Sequence, residues 1–107
     1  MAGGERDRLA ALDELAAALA RTEDARLIKE FLLSILTDNE AEEIASRWAL
    51  VRLIDGGVSQ RRIAHDLGLS LCKITRGSRE LKKRDSAFRR MVDTYKELAS
   101  QSPDIAV

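Results

Sequence analysis

The chain has 107 residues, 45% of them hydrophobic but only 4% aromatic, with 18 basic residues balanced by 18 acidic ones. That length fits one domain, spanning 1–107, and a core so poor in rings is thin, so part of its apolar surface is expected to lie against a second subunit. A single cysteine, Cys72, excludes an intrachain disulfide; with no secretory leader and no apolar run near the roughly 20 residues of a membrane span, a cytoplasmic protein without membrane association is expected.

Apolar residues recur at helical spacing throughout, so the expected fold class is all-α. Leu9, Leu12, Leu15, Ala16 and Leu19 place one stripe on a helix from Glu5 to Arg21, and Thr22 to Asp24 punctuate it. Leu27, Ile28, Phe31, Leu32, Leu33 and Ile35 crowd a second helix, Ala25 to Leu36, on more than one face. Such a helix is expected to be buried between several neighbours, including a partner chain. Thr37-Asp38-Asn39-Glu40 reads as a capping box, in which hydroxyl and carboxylate each satisfy an orphan N–H. It opens a long helix to about Ile54, with Ile44, Trp48, Val51 and Leu50 as inward candidates. Gly56-Gly57 ends it, and Ser59 caps the next. Asp85-Ser86 caps a last helix to about Ser100, carrying Phe88, Met91, Val92, Tyr95 and Leu98. Residues 1–4 and 102–107 are expected to be disordered.

Residues 60–79 between these long helices are the most informative. Ile63, Ala64 and Leu67 give a short helix an apolar face; Gly68 suits a bend that needs φ > 0; Leu69 plugs the corner; Ser70 caps a second short helix that Leu71 and Ile74 anchor. This is the layout of a helix-turn-helix, whose second helix can present its N-terminal residues to the major groove of double-stranded DNA. Gln60, Arg61 and Arg62 are the candidates for phosphates, and Leu71, Cys72 and Thr75 for base edges; Lys73, Ser78, Arg79 and Lys82 complete the candidate DNA-binding set. The charge pattern agrees: residues 60–84 carry eight basic residues against two acidic ones, a net of +6, whereas residues 1–59 carry a net of −5. That segregation suits a polyanion met by one end of the molecule. The plainer alternative is a structural helical hairpin with a solvated face. No catalytic constellation and no metal site emerges. His65 stands without metal-ligand companions, and the carboxylates lie on helix faces beside arginines. The chain is not expected to be an enzyme.

More specific are Ile74-Thr-Arg-Gly-Ser78, preceded by Ser59-Gln-Arg61, and Leu36-Thr-x-x-Glu40 followed by Arg47. With the order of six helices and the helix-turn-helix in fourth and fifth place, they resemble the tryptophan repressor family; the similarity is clear from about Ser34 to Lys83. The resemblance implies an intertwined homodimer that binds a palindromic operator when loaded with L-tryptophan as corepressor, with no other cofactor. It also implies a ligand site. Arg47 and Arg76 match the two arginines that sandwich the indole, a contact worth roughly 0.5–2 kcal/mol. Arg76 and the Thr37 hydroxyl would hold the carboxylate, and backbone carbonyls near Ser34 and Leu36 the ammonium, with Gly77 and Glu80 completing the set. Apart from the resemblance, Thr37 is equally an N-cap, and Arg47 an ion-pair partner for Glu43.

Some positions depart from the family pattern. Lys73 replaces a small hydroxyl residue, and either reaches a phosphate or crowds the indole edge. Glu80 replaces a serine, and pairs either with the ammonium or with Arg76. Ala64 stands where a phosphate-binding lysine is common. Cys72 stands where alanine is common, and packs either on a thymine methyl or inward. The link ending in Gly56-Gly57 is one residue shorter. Two rival readings follow: a related DNA-binding regulator that answers to another ligand or to none, and a helical protein-interaction module.

Overall fold

The computed structural model describes residues 4–101, which form six helices: α1 Gly4–Arg21, α2 Ala25–Ile35, α3 Asp38–Asp55, α4 Gln60–Leu67, α5 Leu71–Lys82 and α6 Ala87–Gln101. No strand occurs among the described residues. Gly4, expected with the disordered N-terminus, instead begins α1. Residues 1–3 and 102–107, the rest of that expectation, lie outside the described residues. Two compact units divide the chain after Ala41, within α3.

Local chemistry sets the boundaries. The Asp24 carboxylate accepts from the Leu27 N–H at 3.1 Å and starts α2. The capping box closes in both directions before α3: the Thr37 N–H donates to the Glu40 carboxylate at 2.9 Å, and the Glu40 N–H donates to the Thr37 hydroxyl at 3.1 Å. The backbone bond from Thr37, then the hydroxyl contact, hold the Glu40 carboxyl below its ordinary range. Thr37→Ala is expected to cost about 1 kcal/mol of stability in chemical denaturation, while Thr37→Ser, which keeps the acceptor, retains most of it.

In the first unit, α1 and α2 contain no buried residue. Leu15, Ala18, Leu19, Thr22, Leu27, Ile28 and Phe31 line an open apolar pocket of about 280 Å³. Leu9, Leu12, Leu33 and Ile35 are more than half exposed, at 57–58%.

The second unit has a core in two parts, both built on α3. Leu50 packs with Ile63 of α4 and Ile74 of α5, ringed by Leu53, Ile54, Val58, Ala64, Leu67 and Leu69. Its neighbour Val51 packs with Leu81 of α5 and Val92 of α6, flanked by Trp48 and Phe88. Consecutive residues on one helix thus serve two clusters, which a single-stripe reading of α3 does not anticipate. Trp48 stacks on Phe88 with ring centroids 5.9 Å apart and meets Tyr95 edge-on at 6.1 Å. The expected inward role of Ile44 is not fulfilled in this unit, where it is exposed, as are Met91 and Leu98 of α6. Val92, with Phe88 and Tyr95 one turn to either side, turns the inner face of α6 away from Met91 and Leu98.

Candidate nucleic-acid interface

α4 and α5 are joined as the sequence requires. The Ser59 hydroxyl accepts from the Arg62 N–H at 3.2 Å, and the Ser70 hydroxyl from the Lys73 N–H at 3.3 Å. Between them Gly68 adopts φ 64°, ψ 30°, the left-handed conformation in which a Cβ is strained. Ile63 and Ile74, fully buried, fix both helices against Leu50. Close approach continues one turn along α5: a Cβ on Gly77 would lie 3.1 Å from Leu50 Cδ2.

This packing divides α5 into two faces. Ile74, Gly77, Ser78 and Leu81 are buried. Leu71, Cys72, Lys73, Thr75, Arg76, Arg79 and Lys82 are exposed, as are Gln60, Arg61 and Arg62 on α4. Two expectations are corrected. Ser78, assigned to DNA, is only 7% exposed and belongs to the inner face. Leu71, expected to anchor α5, is 60% exposed, so Ile74 carries that anchoring and Leu71 stays on the outer face. Cys72 is exposed, which removes the inward alternative. Arg62 lies 3.5 Å from Asp66, whose carboxyl is held low first by the hydrogen bond with His65 and then by Arg62.

The candidate ligand residues fall in both units. In the first, the Ser34 hydroxyl donates to the Phe31 carbonyl at 2.8 Å, the Leu36 N–H bonds the Leu32 carbonyl at 3.0 Å, and Thr37 closes the capping box. In the second, Arg47 on α3 and Arg76 on α5 are exposed. Neither makes an ion pair among the described residues, so the alternative pairing of Arg47 with Glu43 does not form. Gly77, placed in the ligand set, is buried because Leu50 lies against it. Glu80 does not bond Arg76: its carboxylate accepts from Lys83 Nζ at 2.8 Å. That bond, with smaller help from the charges of Lys83 and Arg76, holds the Glu80 carboxyl low.

Two short helices over a shared aliphatic core, with a mostly polar and basic outer face on the second, have the architecture of a helix-turn-helix. The description of the Trp repressor protein matches residues 10–96. The chain belongs to that family, whose members are transcriptional regulators and not enzymes. It is similar to the Trp operon repressor homolog of Chlamydia trachomatis, 32% identical over 71 residues that cover 65% of this chain and 76% of that protein. The Vibrio parahaemolyticus homolog is 33% identical over 84 residues, covering 78% and 79%. That of Vibrio vulnificus is 46% identical over 52 residues, covering 48% and 51%. No solved structure gives a significant match to the chain. Among the described residues, no helix is long and apolar enough to cross a membrane.

Proposed function

We propose that this regulator is a cytoplasmic, homodimeric repressor that binds a palindromic operator when L-tryptophan is bound. The observation that carries the DNA reading is the division of α5, which buries Ile74, Gly77 and Leu81 and leaves Leu71, Cys72, Thr75 and Arg76 exposed. α5 then enters the major groove by its N-terminal turn, and two copies read half-sites about 34 Å apart. The basic residues of α4 and α5 supply phosphate contacts, which position the protein without reading sequence. The exposed guanidiniums of Arg47 and Arg76 are chemically suited to an indole face and a carboxylate. The names of the relatives support the same reading.

Selection from random duplex DNA in the presence of L-tryptophan tests this. Recovery of two-fold symmetric sites is the expected result, and exclusively asymmetric sites would reject the paired-reader arrangement. On the selected site Arg61→Ala is expected to weaken binding to every sequence and lower the salt slope by about 1. Thr75→Ala is expected to change base preference and leave that slope intact.

A second reading, a related regulator with a different ligand or none, is favoured by the Glu80–Lys83 bond and by Lys73. These place charges on α5 beside Arg76 that a neutral-edged indole does not require. Titration with L-tryptophan and its analogues separates the two readings.

A further inference from the structure

The helix-turn-helix is joined to the rest of its unit at two places, and both contain a left-handed residue. Gly57, at φ 83°, follows α3, and Asp85, at φ 55°, lies between α5 and α6. These are the two joints at which the segment could pivot. Directly before the first joint stands Asp55, the last residue of α3. Directly after the second, the Ser86 hydroxyl caps α6 by accepting from the Arg89 N–H at 3.0 Å. The two sides are tied together. The Asp55 carboxylate accepts from the Arg89 guanidinium, 34 residues further along the chain, and from Lys96 Nζ at 3.1 Å. The Asp55 side chain is only 10% exposed while Arg89 is 38% exposed, so the carboxylate end of the pair is withdrawn from solvent and the guanidinium is partly screened. Arg89 also lies 3.7 Å from Asp93, and one turn before Asp55 the Arg52 guanidinium sits 4.3 Å above the Tyr95 ring. The hydrogen bond from Arg89, then that from Lys96, hold the Asp55 carboxyl below its ordinary range.

We propose that Asp55, Arg89 and Lys96 form a staple across the base of the helix-turn-helix, and that Asp55 is a positioning residue for DNA reading. The inference rests on the proposed DNA-reading function. The physical argument concerns direction. Leu50, Ile63 and Ile74 hold the helix-turn-helix to α3 by apolar contact, which is non-directional and tolerates small rotations. A charge-assisted hydrogen bond between a carboxylate and a guanidinium is directional. Placed across both joints, it converts two independent pivots into one fixed base. The base-edge contacts of Leu71, Cys72 and Thr75, short side chains with little reach of their own, then gain from an α5 that does not rock.

Amide hydrogen exchange on the full-length chain tests the staple without any ligand. In Asp55→Asn, amides of α4 and α5 are expected to exchange roughly tenfold faster, with those of α3 and α6 little changed. Arg89→Gln should do the same, and Arg89→Lys, which keeps the charge, should restore most of the protection. On the DNA selected by the wild type, Asp55→Asn should lower the ratio of selected to scrambled-duplex affinity by roughly tenfold while scrambled-duplex affinity holds. Unchanged exchange overturns the staple. So does a uniform acceleration over α3, α5 and α6 with a fall in melting temperature, which marks ordinary destabilisation. A wild-type chain that retains no duplex rejects the DNA reading instead, and the exchange data still decide the staple.

Discussion

Unfolding of this chain is expected to depend on its own concentration, and sedimentation at micromolar concentration is expected to give twice the chain mass. The reason lies in the first unit. Two helices carry Leu9, Leu12, Leu27, Leu33 and Ile35, each at least half exposed, and bury no residue. A leucine fully removed from water stabilises by about 1.5–3 kcal/mol, so exposed leucines in this number leave a large favourable term unrealised in the single chain. Helices of 18 and 11 residues are marginal alone, because helix stability comes mainly from packing an apolar face. A second copy supplies the missing surface, and linkage then makes the midpoint rise with protein concentration. The sharpest arm is Leu33→Asp. At a site exposed in the functional molecule such a change stays within about 0.5 kcal/mol. If a partner buries Leu33, the change puts a carboxylate into an apolar contact, and dissociation with a large fall in melting temperature is expected. A monomer whose melt is independent of concentration and indifferent to Leu33→Asp would reject the dimer.

The features that were legible in the sequence are those decided by neighbours a few residues apart. Thr37, Ser59, Ser70 and Ser86 announce helix starts because a capping hydroxyl needs only an N–H three residues on, and all four make that bond. Gly68 announces the bend because only its own φ is at issue. Residues whose role depends on what approaches from elsewhere were read less well. Periodicity marks Ile44, Leu71, Met91 and Leu98 as apolar without saying which of two stripes meets the core, and all four prove exposed. Ser78 was placed with the exposed residues around it, yet it sits one position beyond Gly77, where α5 lies closest to Leu50. The bond between Asp55 and Arg89 spans 34 residues and leaves no trace in local spacing. The one hint was an acid directly before Gly56-Gly57, matched by basic residues two turns apart on α6. In the candidate ligand set, Glu80 has Arg76 one turn before it and Lys83 one turn after it, spacing alone does not choose between them, and Lys83 takes the carboxylate.

Operator affinity is expected to rise on saturation with L-tryptophan at fixed salt, by about 5- to 150-fold, corresponding to a coupling on the order of 1–3 kcal/mol. The expectation follows from where the two arginines stand. Arg47 projects from α3 and Arg76 from α5. A ligand gripped by both ties the orientation of α5 to α3, and it shifts the population only by its differential affinity for the DNA-competent arrangement. Reciprocity is then obligatory: operator DNA tightens tryptophan binding by the same factor, which calorimetry with and without the duplex can measure. Arg76→Ala removes one stacking face and the carboxylate anchor together, so the response should vanish although the helix-turn-helix core, built on Ile63 and Ile74, is untouched. Arg47→Ala removes one stacking face alone and should weaken the ligand by roughly tenfold. The Glu80–Lys83 bond adds a further arm. If Glu80 is to receive the ligand's ammonium it must leave Lys83, so Lys83→Met should strengthen L-tryptophan binding and leave indole propionate, which lacks the ammonium, unaffected. Equal operator affinities with and without tryptophan would reject the switch and leave a regulator whose helix-turn-helix is held by contacts within the chain and not by the ligand.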